Sequence, residues 1–205
     1  MAEQAAESGP LRLLCLGDSY TIGEGVKEQE RFPEQATALL RQRGIPCATP
    51  QIVAVTGWTT DELKQALAQT PLKPPYDVVT LLIGVNNQYR GGTAEAYREA
   101  FRELLQQAIG YAGGYARRVV VLSIPDWGVT PYAADRNRQQ IAREIDAFNA
   151  VNAEETLQAG ARYINITPYT RLYADWLAPD GLHPDGRQYR LWASDLADAI
   201  EGMLQ

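Results

Sequence analysis

Five short apolar runs constrain this chain more than any other feature. They are Leu11–Leu16, Ile52–Thr56, Val78–Ile83, Val119–Ile124 and Tyr163–Ile166. Each is rich in Val, Ile or Leu and nearly continuous, rather than alternating between apolar and polar residues. A strand of that kind is buried on both faces, which points to a parallel sheet covered on each side by helices.

The stretches between the runs carry helical patterns. Thr59 followed by Glu62 has the spacing of a capping box, opening a helix that runs through Gln69. Tyr97, Phe101, Leu104, Leu105 and Ala108 recur at helical spacing and form one apolar face. Ile141, Ile145 and Phe148 repeat the pattern in a helix ending near Gly160. Tyr189, Trp192, Leu196, Ile200 and Met203 give a last helix its core face. Pro71–Pro75, with three prolines, reads as a surface connection. Strands alternating with helices imply right-handed crossovers and an α/β fold, a three-layer α/β/α sandwich. The common five-stranded parallel order for such a sheet is 2-1-3-4-5.

Composition fits this reading. With 205 residues, 45% hydrophobic and 21% charged, the chain has enough core for one globular domain. We expect that domain over residues 11–205, after a flexible N-terminal segment, residues 1–10. That segment carries two acids and no apolar stretch, so it is no secretory signal, and the expected location is the cytoplasm. No apolar run approaches the ~20 residues of a membrane span. The net charge of −6 and the isolated basic pairs Arg41/Arg43 and Arg117/Arg118 argue against a nucleic-acid partner. Cys15 reads as a small core residue, and a Cys15–Cys47 disulfide is not expected. One histidine and no Cys/His cluster leave no metal site, and no cofactor is expected.

In a sheet of order 2-1-3-4-5, the residues following strands 1, 2 and 3 are neighbours at the carboxyl edge, where ligands bind. Gly17-Asp18-Ser19-Tyr20 follows strand 1 and presents a serine hydroxyl and N–H. Thr56-Gly57-Trp58 follows strand 2, and its glycine lets backbone approach a ligand closely. Gly84-Val85-Asn86-Asn87 follows strand 3 and offers a side-chain amide donor. The Ser19 N–H, the Gly57 N–H and the Asn86 amide would surround one point, as an oxyanion hole requires. A serine nucleophile needs a base, and His183 is the sole imidazole. Asp180, three residues earlier on a turn-prone segment, is placed to hold His183 Nδ1 and leave Nε2 facing Ser19. Asp18 is read as an acceptor for backbone N–H groups at the start of the next helix, and Asp185 as a cap of the last helix. Tyr20, Trp58, Trp127 and Tyr132 are the candidate walls for a substrate, with Pro125–Asn137 as a mobile or specificity loop.

With Gly17-Asp18-Ser19, Gly57, Gly84-Val85-Asn86 and Asp180-Gly181-Leu182-His183-Pro184 in this order, the chain resembles the GDSL/SGNH hydrolase superfamily. The resemblance implies a flavodoxin-like sheet and metal-free hydrolysis of esters or thioesters. It implies Ser19 as nucleophile, His183 as base, Asp180 as its orienter, and Gly57 and Asn86 in the oxyanion hole with Ser19. Two positions depart from the family pattern: Tyr20 stands where Leu is usual, and Asn87 where Asp is usual. The expected substrate is a small-molecule ester, with short-acyl or carbohydrate acetyl esters favoured. A thioesterase or lysophospholipase would use the same site, and a non-catalytic flavodoxin-like binding module is the reading from another class.

Overall fold

The computed structural model describes residues 9–204. Residues 1–8 of the segment read as a flexible N-terminus lie outside the described residues. Among the described residues, five strands form one parallel sheet: β1 (Leu13–Gly17), β2 (Gln51–Ala54), β3 (Val78–Leu82), β4 (Val119–Leu122) and β5 (Arg162–Ile164). Their order is β2-β1-β3-β4-β5, as expected. The central strands β1, β3 and β4 are buried along their whole length. β5 was expected to be buried but is half-buried throughout, and β2 opens on an exposed Gln51. Both lie at the sheet edges, where covering is incomplete. Leu11 falls outside β1 and instead makes an isolated bridge to Cys47.

Among the described residues, eight α-helices surround the sheet: α1 (Ser19–Ile22), α2 (Phe32–Gln42), α3 (Thr60–Gln69), α4 (Val85–Tyr89), α5 (Ala94–Tyr111), α6 (Arg138–Gln158), α7 (Thr167–Leu172) and α8 (Gly186–Glu201). The capping box of α3 is present, with the Thr59 N–H donating to Glu62 Oε2 at 2.8 Å. The anticipated faces of α5, α6 and α8 are buried, except that Met203 lies beyond the end of α8 and is half-buried. Helix α2 was not anticipated. Its signal is Phe32, Ala36 and Leu40 at helical spacing behind Pro33 near the first turn.

The helices cover both sides of the sheet, with α2 packed along α8 and α5 along α6. Phe32, Tyr189 and Trp192 lock α2 to α8, with the Tyr189 and Trp192 rings 5.1 Å apart edge to face. Tyr97 of α5 packs on Phe148 of α6 at 4.7 Å. Helix α5 also lies against β3. Cys15 and Cys47 are both free, and burial pushes the Cys15 thiol up to about 12, so it remains a neutral core group. Among the described residues, no helix is long and apolar enough to cross a membrane.

Candidate active site

β1 ends at Gly17, and only a glycine fits there. A Cβ would collide with the Leu82 carbonyl of the neighbouring strand and with the Thr21 side chain. The chain then turns directly into α1, with Asp18 as its cap: Asp18 Oδ1 accepts the Tyr20 N–H at 3.0 Å. This is the role read for Asp18, and it sets Ser19 at the first position of the helix, at the carboxyl edge of the sheet. After β2, the turn at Gly57 adopts φ 87°, a left-handed conformation that glycine reaches without strain. After β3, the short helix α4 carries Asn86.

These three strand ends converge with the loop before α8. Ser19, Gly57, Asn86 and His183 line one cleft of about 120 Å³, together with Tyr20, Thr56, Val85, Tyr89, Trp127, Tyr132 and Leu182. His183 Nδ1 lies 2.6 Å from Asp180 Oδ2. Asp180 Oδ1 also accepts the N–H groups of Leu182 and His183, at 2.9 and 3.0 Å. Burial pushes the Asp180 carboxyl up, but the His183 hydrogen bond and the two backbone N–H groups outweigh it and hold the carboxyl below its usual range. A carboxylate can only accept, so Nδ1 carries the proton and donates, leaving a lone pair on Nε2. Asn86 Nδ2 donates to the Trp58 carbonyl at 2.9 Å, which aligns the amide, and lies a long 3.5 Å from Asp18 Oδ2.

The four wall candidates divide. Tyr20, Trp127 and Tyr132 line the cleft. Trp58 does not: its ring is half-buried against the core, and its carbonyl is what meets Asn86. Tyr89 completes the wall, its ring 5.2 Å from Trp127 and its hydroxyl 3.0 Å from that of Tyr132. The segment Pro125–Asn137, expected as a mobile or specificity loop, is fastened at its start. Asp126 accepts the Gly128 N–H at 2.9 Å and pairs with Arg171 at 2.8 Å, while Trp127 Nε1 donates to Gln88 at 2.8 Å. Asp185 caps α8, accepting the Arg187 and Gln188 N–H groups. It is therefore occupied away from His183.

A family model described as the GDSL-like lipase/acylhydrolase family matches residues 15–191. The chain belongs to that family. Solved structures agree on the fold. A lipase/acylhydrolase from Enterococcus faecalis superposes with TM-score 0.69 at 21% identity, covering 94% of this chain and 96% of that one. An acetylxylan esterase from Geobacillus stearothermophilus gives 0.70 at 18% identity, covering 94% and 95%. A psychrotrophic esterase from Pseudoalteromonas sp. gives 0.66 at 16%, covering 94% and 98%. No curated protein matches the chain.

Both departures from the family pattern have a structural account. Asn87 Oδ1 accepts the Thr60 N–H at 3.1 Å, and its Nδ2 donates to Thr60 Oγ1 at 2.8 Å. The amide thus keeps two supporting hydrogen bonds that a carboxylate would make as an acceptor alone. Tyr20 places its ring 5.0 Å from that of His183, so a flat aromatic surface backs the imidazole. Burial, then the nearby Asp18, push its phenol well above the usual range, so it remains neutral.

Asp18 is fully buried, and burial pushes its carboxyl from 3.8 up to about 7, against the pull of the Tyr20 N–H. An acid whose folded pKa is raised contributes most below its unfolded value, and that contribution is lost as pH rises through the folded value. Asp18→Asn carries no such titration. The variant should therefore gain stability relative to the wild type between about pH 4 and pH 7. Urea midpoints of both proteins at about pH 5 and pH 8 check this, and a pH-independent difference would sink it.

Proposed function

We propose that this GDSL-family protein is a serine esterase that cleaves carboxylic esters through an acyl-enzyme. Short-acyl and carbohydrate acetyl esters are its favoured substrates. The observation that carries the reading is the convergence of Ser19, an Asp180-held His183, Gly57 and Asn86 on one small cleft. In this reading Ser19 Oγ attacks the ester carbonyl while His183 Nε2 takes its proton. The oxyanion forms among the Ser19 N–H, the Gly57 N–H and the Asn86 N–H whose contact with Asp18 Oδ2 is a long 3.5 Å. His183 then passes its proton to the leaving alcohol, and water repeats the sequence on the acyl-enzyme.

Two features support the substrate preference. The cleft, about 120 Å³, is small beside the ~300–1,000 Å³ of drug-sized sites, which suits a short acyl group. At its rim Tyr89 and Tyr132 are 43% and 50% exposed, and such open aromatic faces offer a flat apolar surface to a sugar ring.

The test is a series of p-nitrophenyl esters of increasing acyl length, with a fluorophosphonate adduct mapped by mass spectrometry. The adduct is expected on Ser19, and kcat/KM is expected to fall as the acyl chain lengthens beyond acetyl and butyryl. A profile rising toward long chains would favour the lysophospholipase reading. An adduct elsewhere, or none, would remove the serine-esterase assignment.

A further inference from the structure

Helix α4 does more than carry Asn86. Asn86 and Asn87 of α4, and Arg90 at its end, reach across to residues 57–60, where the chain passes from β2 into α3. Asn86 Nδ2 donates to the Trp58 carbonyl at 2.9 Å. Asn87 pairs with the N–H and hydroxyl of Thr60. Arg90, the residue that closes α4, donates from Nη2 to the Gly57 carbonyl at 2.7 Å. Asn86 and Arg90 are four residues apart, one helical turn, so they leave the same face of α4. They grip consecutive carbonyls of the turn.

Arg90 is itself anchored. Its Nη2 also lies 3.2 Å from Glu62 Oε2, the oxygen that accepts the Thr59 N–H and hydroxyl in the α3 capping box. A planar guanidinium can bridge a carbonyl and a carboxylate at once, which a lysine ammonium on a flexible stem does less well. Gly57 needs such a restraint. It has the widest backbone freedom of any residue type, and the turn's own bond, Trp58 N–H to the Val55 carbonyl, is a long 3.3 Å. As an ion pair Arg90–Glu62 adds little to stability, because both side chains are about half exposed, 52% and 41%.

We propose that Arg90 is a positioning residue for acyl transfer. Its guanidinium holds the Gly57 turn so that the Gly57 N–H stays aimed at the oxyanion. The proposal rests on the oxyanion-hole reading above. An oxyanion donor works only when it is within about 2.7–3.1 Å of the developing charge, so a turn that swings loses much of its effect.

The experiment compares wild type, Arg90→Ala and Arg90→Lys in the full chain. It measures kcat and KM on p-nitrophenyl acetate, the rate of fluorophosphonate attachment to Ser19, and the thermal midpoint. Arg90→Ala should lower kcat and the labelling rate about tenfold, short of the ~10²–10³ that removing a whole donor costs. KM should stay within about twofold, since the contact acts in the transition state. The thermal midpoint should hold, Arg90→Lys should fall between, and added methylguanidinium should partly restore Arg90→Ala without affecting wild type. Arg90→Ala as fast as a wild type that labels on Ser19 would overturn the proposal and leave the oxyanion-hole reading standing. A slow Arg90→Ala with a lowered midpoint and no response to methylguanidinium would also overturn it, in favour of a purely structural role. A wild type that does not label on Ser19 would remove the oxyanion-hole reading and this proposal with it.

Discussion

Ser19→Ala and His183→Ala should each slow ester turnover by about 10⁶-fold, and the double variant should be no slower than either single one. In the proposed mechanism the two side chains perform one event. Without the imidazole the hydroxyl is a poor nucleophile at neutral pH, and without the hydroxyl the imidazole has no proton to take. Both residues line the same cleft and both are nearly buried, Ser19 at 4% and His183 at 6% exposure. Bulk water therefore has little room to replace either one. Residual turnover of about 10³–10⁴ over water should persist, because the proposed oxyanion donors are backbone groups and Asn86, which neither change removes. Ser19→Ala deletes a single oxygen from the first position of α1, where Asp18 rather than Ser19 caps the helix, so folding should be unaffected. Turnover numbers with matched circular dichroism check this. A Ser19→Ala protein retaining more than about 1% of wild-type kcat would remove Ser19 from the mechanism.

Asp180→Asn should lower kcat by up to about 10⁴-fold while leaving the fold intact. The asparagine oxygen can still accept the Leu182 and His183 N–H groups that Asp180 Oδ1 accepts now, so the turn should survive. What changes is the partner of the imidazole. The carboxylate forces a proton onto His183 Nδ1 at 2.6 Å. An amide N–H₂ in its place would donate to Nδ1 and drive the proton to Nε2, where the lone pair is needed. Protonation of Asp180 is no route to the same loss near neutrality. Its folded pKa is depressed, so the contribution is present above the usual carboxylate range and disappears only as pH falls through the lowered value. Steady-state kinetics of the variant at neutral pH provide the measurement. Full activity would exclude Asp180 as the orienter and leave a Ser19–His183 dyad, because Asp185 is committed to capping α8.

Much of the fold was legible because its strands are buried. The runs at β1, β3 and β4 cannot be mistaken for half-exposed strands, and the periodic apolar faces of α5, α6 and α8 follow from helix geometry. The edge strands were less legible. Burial at β5 depends on which neighbour a strand lacks, and that is a property of the sheet rather than of Tyr163 or Ile164. Helix α2 was hidden by its short apolar repeat, whose meaning comes from Tyr189 and Trp192, more than 150 residues further along the chain.

The candidate site divides in the same way. Residue types and chain order alone named Ser19, Gly57, Asn86, Asp180 and His183, since an acyl-transfer site needs a nucleophile, a base and convergent donors, and a parallel sheet dictates where they must lie. Asp180 and His183 are three residues apart, so local turn geometry sufficed to pair them. Arg90 could not be found this way. Its i,i+4 relation to Asn86 was visible, but its meaning depends on Gly57 lying opposite, 33 residues away in the chain. Trp58 was named for its ring, yet packing half-buries the ring against the core and turns the carbonyl toward Asn86. The sequence by itself determined the layers and the chemical groups, because burial pattern and residue chemistry are local properties; the strand order was only the common one for such a sheet until the pairing showed it. Only the tertiary structure decided which donors are held, which rings face the cleft and which charges are buried, because those depend on contacts between segments whose spacing in the chain carries no record of their distance in space.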